Sequence, residues 1–385
     1  MRVTQFMLSQ NSLRHINQGY NRLGVLNDQM SSGKKITRAS QDPVVAMSGI
    51  RYRTQVVEVK QFQRNLGETY NWMDTADATL DKVGKAIHRI RELVVQSSND
   101  TYESTQRANM GKEIKQLFDH IVSLANTKSN GKYIFNGTDT LNAPVDETKM
   151  NLELSELVAA PDIGEYEISY QGHLYKFDSV SGNDAIFSSA VGTITIKDYA
   201  TNPTIETDQP NPEFINGVSD PLVVPQRVTL PLTEDNIIIS RADAVSTNTE
   251  DVNIELLKGV TINVNILPSN VFNNALFGDI KQLIKTLDDP TSKHEDLTKI
   301  INNFDIHLDS IVAERAELGA RVNRVELIEE RLGEQEVISK RIMSNNEDID
   351  FEQVIIDLKT QEVVHRSALA AGARIMQPTL LDFLR

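Results

Sequence analysis

The chain has 385 residues and no cysteine, an absence that removes disulfide scaffolds, thiolate metal sites and thiol catalysis together. Long apolar runs are missing too: no stretch approaches the roughly 18 residues of a membrane span, so no membrane insertion is expected. The opening MRVTQFMLSQNSLRH lacks both a continuous apolar core and a small-residue cleavage site, which argues against a secretory signal peptide. A chain with neither cysteine nor cleavable signal suits export in an unfolded, uncrosslinked state by another route. The seven histidines never form a close pair or sit at ligand spacing from a carboxylate, so no metal site is expected. There is no Gly-x-Ser-x-Gly elbow and no phosphate loop, and nothing brings two carboxylates to one catalytic point. No catalytic or cofactor-binding residue is therefore assigned, and the chain does not read as an enzyme.

What is present is distributed unevenly. The net charge is −15, yet residues 141–275 hold 20 acidic against 6 basic side chains, whereas residues 1–140 hold 13 against 19. An acidic, solvent-facing middle argues against nucleic acid as a partner. The same middle carries nine of the twelve prolines, which punctuate short β-branched or aromatic runs and predict a β-rich insert. Its clearest element is a hairpin turning at Gln171-Gly172. Further strands are predicted at Val191–Lys197, Leu222–Val224, Arg227–Leu230, Ile237–Ser240 and Val260–Ile266.

Both flanks are helical in pattern. Leu13, Ile16, Tyr20, Leu23 and Met30 recur in steps of three and four, with Asn27 in the intervening slot; so do Leu66, Met73, Leu80, Ile87, Ile90 and Val94 further on. A second helix carries Met110, Ile114, Leu117, Ile121 and Leu124 and is expected to stop at Asn130-Gly131. After the insert the pattern resumes at Leu276, breaks at Asp289-Pro290, and continues through Phe304, Leu308, Ile311, Leu318, Val322, Val325 and Leu332. A last seam holds Phe351, Ile355, Leu358, His365, Leu369 and Met376, with Asp348 as its expected cap. Such narrow stripes need partner helices, and the terminal ones, rich in Asn, Gln and Gly, are expected to order only when a partner arrives. Asn27 and His365 would fix register.

Between the first two helices lies a joint. Gly33 suits a left-handed helix end, Asp42 can cap the next helix, and Pro43 fits its first position. These three are taken as a hinge.

The joint also carries a resemblance. Ser31-Ser32-Gly33-Lys34-Lys35-Ile36, followed by Ala39-Ser40-Gln41-Asp42-Pro43, resembles the N-terminal signature of the bacterial flagellin superfamily. Arg315-Ala316-Glu317-Leu318-Gly319-Ala320-Arg321-Val322-Asn323-Arg324 is similar to its return helix, and Ala368 to Ile375 to its small-residue C-terminal segment. Tyr133-Ile134-Phe135-Asn136-Gly137-Thr138, with the first and last residues, looks closer to the hook-associated branch than to filament flagellins. The resemblance covers residues 1–140 and 270–385 and does not extend to the insert. It implies a secreted, extracellular structural subunit of the bacterial flagellum, exported by the type III apparatus, serving motility as an adapter at the hook–filament junction. Its partners would be its own copies in a ring, the neighbouring hook-associated protein and flagellin, and an export chaperone gripping the C-terminal helix. A major filament flagellin and, of another class, a surface adhesin with a ligand-binding insert are the alternatives. Arg89, Arg91 and Glu92 fall in a stretch similar to one that contacts neighbouring subunits or innate receptors. The expected fold is mainly α with a β insert: residues 1–42 plus 344–385 as terminal coiled-coil segments, 43–140 plus 276–343 as a long antiparallel helical rod, and 141–275 as the outer β-rich insert.

Overall fold

The structure, a computed structural model, describes residues 5–99, 102–199, 203–210, 227–290 and 294–376. In chain order the helices are α1 (Gln5–Ser32), α2 (Pro43–Ser97), α3 (Ser104–Ala125), the short α4 (Leu154–Ala159) and α5 (Pro268–Val271), α6 (Asn274–Asp288), α7 (His294–Glu347) and α8 (Phe351–Met376). The strands are β1 (Lys128–Ser129), β2 (Lys132–Tyr133), β3 (Met150–Leu152), β4 (Tyr166–Tyr170), β5 (His173–Ser181), β6 (Asp184–Ser188), β7 (Thr193–Lys197), β8 (Thr204–Pro210), β9 (Arg227–Leu232), β10 (Ile238–Arg241), β11 (Asn253–Leu257) and β12 (Val260–Asn263). The chain is thus mainly helical, with helices at both ends and antiparallel β structure in the middle. Two compact units divide it: residues 1–64 with 328–385, and residues 65–327.

The larger unit buries the apolar seam of α2, where Met73, Leu80, Val83, Ile87, Ile90 and Val94 are fully enclosed. Phe304, Ile311, Leu318 and Val325 of α7 are equally buried. These two helices run antiparallel and are tied at their margins by ion pairs: Arg315 Nε to Asp77 at 2.9 Å and Arg91 Nε to Asp305 at 2.6 Å. Phe118 of α3 meets Phe277 of α6 edge-on at 5.7 Å. The β domain is one antiparallel sheet in the order β3-β10-β4-β5-β6-β7-β8-β9, whose enclosed face gathers Ile168, Tyr175, Phe187, Ile194, Ile196 and Ile239. Alternation along β6 and β7 places every second side chain on that face. The β4–β5 hairpin turns at Gln171 (φ 47°) and Gly172 (φ 81°), the double left-handed geometry of a two-residue turn.

Several expectations need correction. Helix α3 ends at Ala125, and Asn130 (φ 50°) with Gly131 (φ 78°) forms instead the turn of the β1–β2 hairpin. The chain leaves the helix earlier because Asn126 is drawn to Val145, accepting its N–H and donating to its carbonyl. Strands β3, β6, β8 and β11 were not among those predicted, and the strand predicted at Leu222–Val224 lies outside the described residues.

Candidate functional site

The smaller unit is built from α1, α8, the beginning of α2 and the end of α7. Its organising feature is the joint. Gly33 stands at φ +68°, and there the chain leaves α1 and lies antiparallel to the segment after α7. Lys34 bridges to Asp348, the Lys35 N–H donates to the Glu347 carbonyl at 2.7 Å, and the Ile349 N–H donates to the Gly33 carbonyl at 3.1 Å. Asp42 Oδ1 accepts from the N–H groups of Val44 and Val45 at 2.9 and 3.1 Å, so α2 starts capped at Pro43.

Charge closes the joint. Arg53 grips Glu347 with two hydrogen bonds of 2.7 and 2.8 Å, and Lys34 Nζ lies 3.4 Å from Glu347 and 2.6 Å from Asp348. Glu347 is buried. The Arg53 hydrogen bond holds its carboxyl below the ordinary glutamate range against the opposing effect of burial. Asp348 is likewise pulled down by its hydrogen bond from Lys34, and Lys34 pushed up by the same contact. Asp348 does not cap α8. Lys34 and the Ser344 hydroxyl take its carboxylate, and Asp350 caps the helix, accepting from Glu352 and Gln353 N–H.

Helices α1 and α8 pack antiparallel, with Gly33 near Phe351 at one end and Ile16 near Gly372 at the other. The enclosed faces are Ile16, Gly19, Leu23 and Leu26 on α1 and Val354, Leu358, Gln361, His365 and Gly372 on α8. Small residues set the spacing: a Cβ on Gly19 would stand 3.3 Å from His365 Nδ1, and one on Gly372 would stand 3.1 Å from Ile16 Cδ1. Tyr20 contacts the His365 ring at 5.6 Å.

The predicted assembly residues therefore fall into two sets. Ile16, Leu23, Leu358 and His365 are partly enclosed within the α1–α8 pair. Leu13, Tyr20, Met30, Phe351, Ile355 and Leu369 face solvent, Tyr20 at 70% exposure. The side chain of Met376 lies outside the described residues. Sequence reasoning missed Gly19 and Leu26, and also a run of exposed apolar residues early in α2, Val44, Met47, Ile50 and Val57. Among the described residues, eighteen of the twenty-five exposed large apolar side chains belong to this smaller unit. In the larger unit, Arg89 pairs within the chain with Glu113 and Glu92, and Arg91 with Asp305.

Among the described residues no cluster of His, Asp or Glu could hold a metal ion, and no helix is long and apolar enough to cross a membrane. Residues 3–140 match the bacterial flagellin N-terminal helical region. A flagellin of Clostridium tyrobutyricum is 22% identical over 98% of this chain and 100% of its own length. Hook-associated protein 3 of Escherichia coli is 31% identical over 39% of this chain, an alignment spanning about half of that protein, 47%. A solved structure described as a flagellar hook-associated protein of Vibrio parahaemolyticus shares the fold with a TM-score of 0.52 at 15% identity, covering 80% of this chain and all of that one. The homologues of this chain, flagellin and hook-associated protein 3 among them, are flagellar structural proteins and not enzymes, and its residues 3–140 carry the flagellin N-terminal helical region.

Proposed function

We propose that the chain is a secreted structural subunit of the flagellum that forms the adapter between hook and filament, joining its own copies, a neighbouring hook-associated protein and flagellin through its terminal helices. The observation that carries this reading is the crowding of exposed apolar side chains onto the unit built from both chain ends. Helices with unfilled seams are stabilised when neighbours fill them, so ordering and assembly are coupled. Residues Gly33, Asp42 and Pro43 act here as the joint between the terminal pair and the remaining helices. Helix α8, with Phe351, Ile355 and Leu369 exposed, also offers an export chaperone an amphipathic face.

A second reading, filament flagellin, is favoured by the full-length alignment with the Clostridium tyrobutyricum protein. Gold labelling of an epitope inserted at the Gly182-Asn183 turn, where the surroundings are open, separates the two. A single cluster at the hook–filament boundary is the expected result. Label along whole filaments would establish the flagellin reading, and label elsewhere on the cell would overturn both.

A further inference from the structure

Within the smaller unit the first turns of α2 and the last turns of α7 form a two-helix layer. They share the buried residues Val56 and Val59 on one side and Leu332 and Ser339 on the other, with Gln63 Nε2 donating to Glu336 at 2.7 Å. About half a turn round α2 from Val56 and Val59, at 100° per residue, lies the exposed series Met47, Ile50, Thr54, Val57 and Gln61. It repeats in steps of three and four, the spacing of a seam that another helix fills. About half a turn round α7 from Leu332 and Ser339 lies a second exposed face: Glu330, Glu334, Val337, Ile338 and Arg341. One copy thus presents two different unfilled faces on opposite sides of one layer.

Their rims differ in sign. Arg51 and Arg64 are exposed beside the α2 series, with Glu58 the opposing acid, whereas the α7 face has Glu330 and Glu334, with Arg341 the opposing base. A two-fold contact of α2 on α2 would bring like charges together and leave the α7 face bare. A contact of α2 on the α7 of the next copy matches charge, covers both faces, and leaves each new copy with one face free. We infer that the α2 face around Val57 docks on the α7 face around Ile338 of a second copy, side by side and head to tail. This rests on the reading of the chain as an assembling flagellar subunit and names the partner surface for it.

The cysteine-free chain makes the test clean. Val57→Cys is combined in turn with Glu334→Cys, Ile338→Cys and Arg341→Cys, which step along α7 by about one turn. Each full-length protein is expressed in place of the native one, and isolated flagella are oxidised. The two positions in one copy face away from each other, so cross-links form between copies. The expected result is a ladder of dimers and higher species from at least one double variant and from no single variant. A dimer from Val57→Cys alone overturns the head-to-tail assignment. Protein present on flagella with no ladder from any pair overturns the inference and leaves the flagellar reading standing. Native protein absent from flagella overturns that reading and this assignment with it. As an independent check, Arg51→Glu with Arg64→Glu should deplete the protein from flagella, and adding Glu330→Lys with Glu334→Lys should restore it; failure of the reversal to restore argues against the pairing of these two faces.

Discussion

Replacing Gly49 by alanine sets two effects of opposite sign against each other. Alanine favours a helix interior over glycine by about 1 kcal/mol, so the change should stabilise α2. A Cβ at Gly49, however, would stand 2.8 Å from Glu347 Oε1, closer than carbon and oxygen tolerate. That oxygen sits at the end of a flexible side chain and could swing aside, but Arg53 holds the carboxylate through two hydrogen bonds, and moving it breaks that grip. Hydrogen bonds to charged groups contribute roughly 1.5–3 kcal/mol each. Because the Arg53 side chain is 63% exposed, solvent screening reduces the pair to about 2 kcal/mol in total. The expected net effect is a loss of about 1 kcal/mol, which corresponds to a roughly five-fold larger open population. Amide hydrogen exchange at Lys35 and Ile349, whose N–H groups cross the joint, reads it directly. Gly333→Ala is the control: it lies in α7 of the same unit with nothing within 4 Å of the new methyl, and it should stabilise by the propensity term alone. If Gly49→Ala slowed exchange as Gly333→Ala does, Glu347 would not be anchored as described and the reasoning would fail.

Acid should loosen the same joint. Because folded Glu347 and Asp348 hold protons less tightly than in the unfolded chain, their contribution is in full above the ordinary carboxylate range of about 4 and is lost as pH falls through their lower folded values. Exchange protection at Lys35, corrected for intrinsic rates, should drop there, and Glu347→Gln should flatten the dependence; an equally steep profile in that variant would refute the assignment. Phe351→Ser, Ile355→Ser and Leu369→Ser remove side chains that are already exposed, so helicity and thermal stability should change by no more than about 0.5 kcal/mol while incorporation into flagella is lost. Normal incorporation of the triple variant would show that these residues do not serve assembly.

The sequence made some features plain because they depend on near neighbours. The turn at Gly33, the cap at Asp42 and the hairpin at Gln171-Gly172 each follow from the conformational range or hydrogen-bonding reach of two or three adjacent residues. Other features turn on residues hundreds of positions away. Asp348 and Asp350 are equally good caps by local rules, and the choice between them is made by Lys34, 314 residues distant. The phase of α1 differs from the one read in the sequence: that reading runs through Tyr20 and Asn27, whereas the enclosed face runs through Gly19 and Leu26. The second phase forms because Gly19 lets α8 approach closely and Tyr20 fits only at the margin against His365. Strand β8, Thr204–Pro210, alternates apolar and acidic residues too weakly to stand out alone, and its identity comes from pairing with β7 and β9.

The joint also has a mechanical meaning. Two connections of unequal length run side by side: residues 348–350 join α7 to α8 in three residues, while residues 33–42 join α1 to α2 in ten. At about 3.4 Å per extended residue, the first can stretch to about 10 Å and the second to more than 30 Å. Under tension the short connection tightens first and the long one stays slack. The bridge between Lys34 and Asp348 fastens the slack strand to the taut one, so a pull on either terminal helix is shared by both.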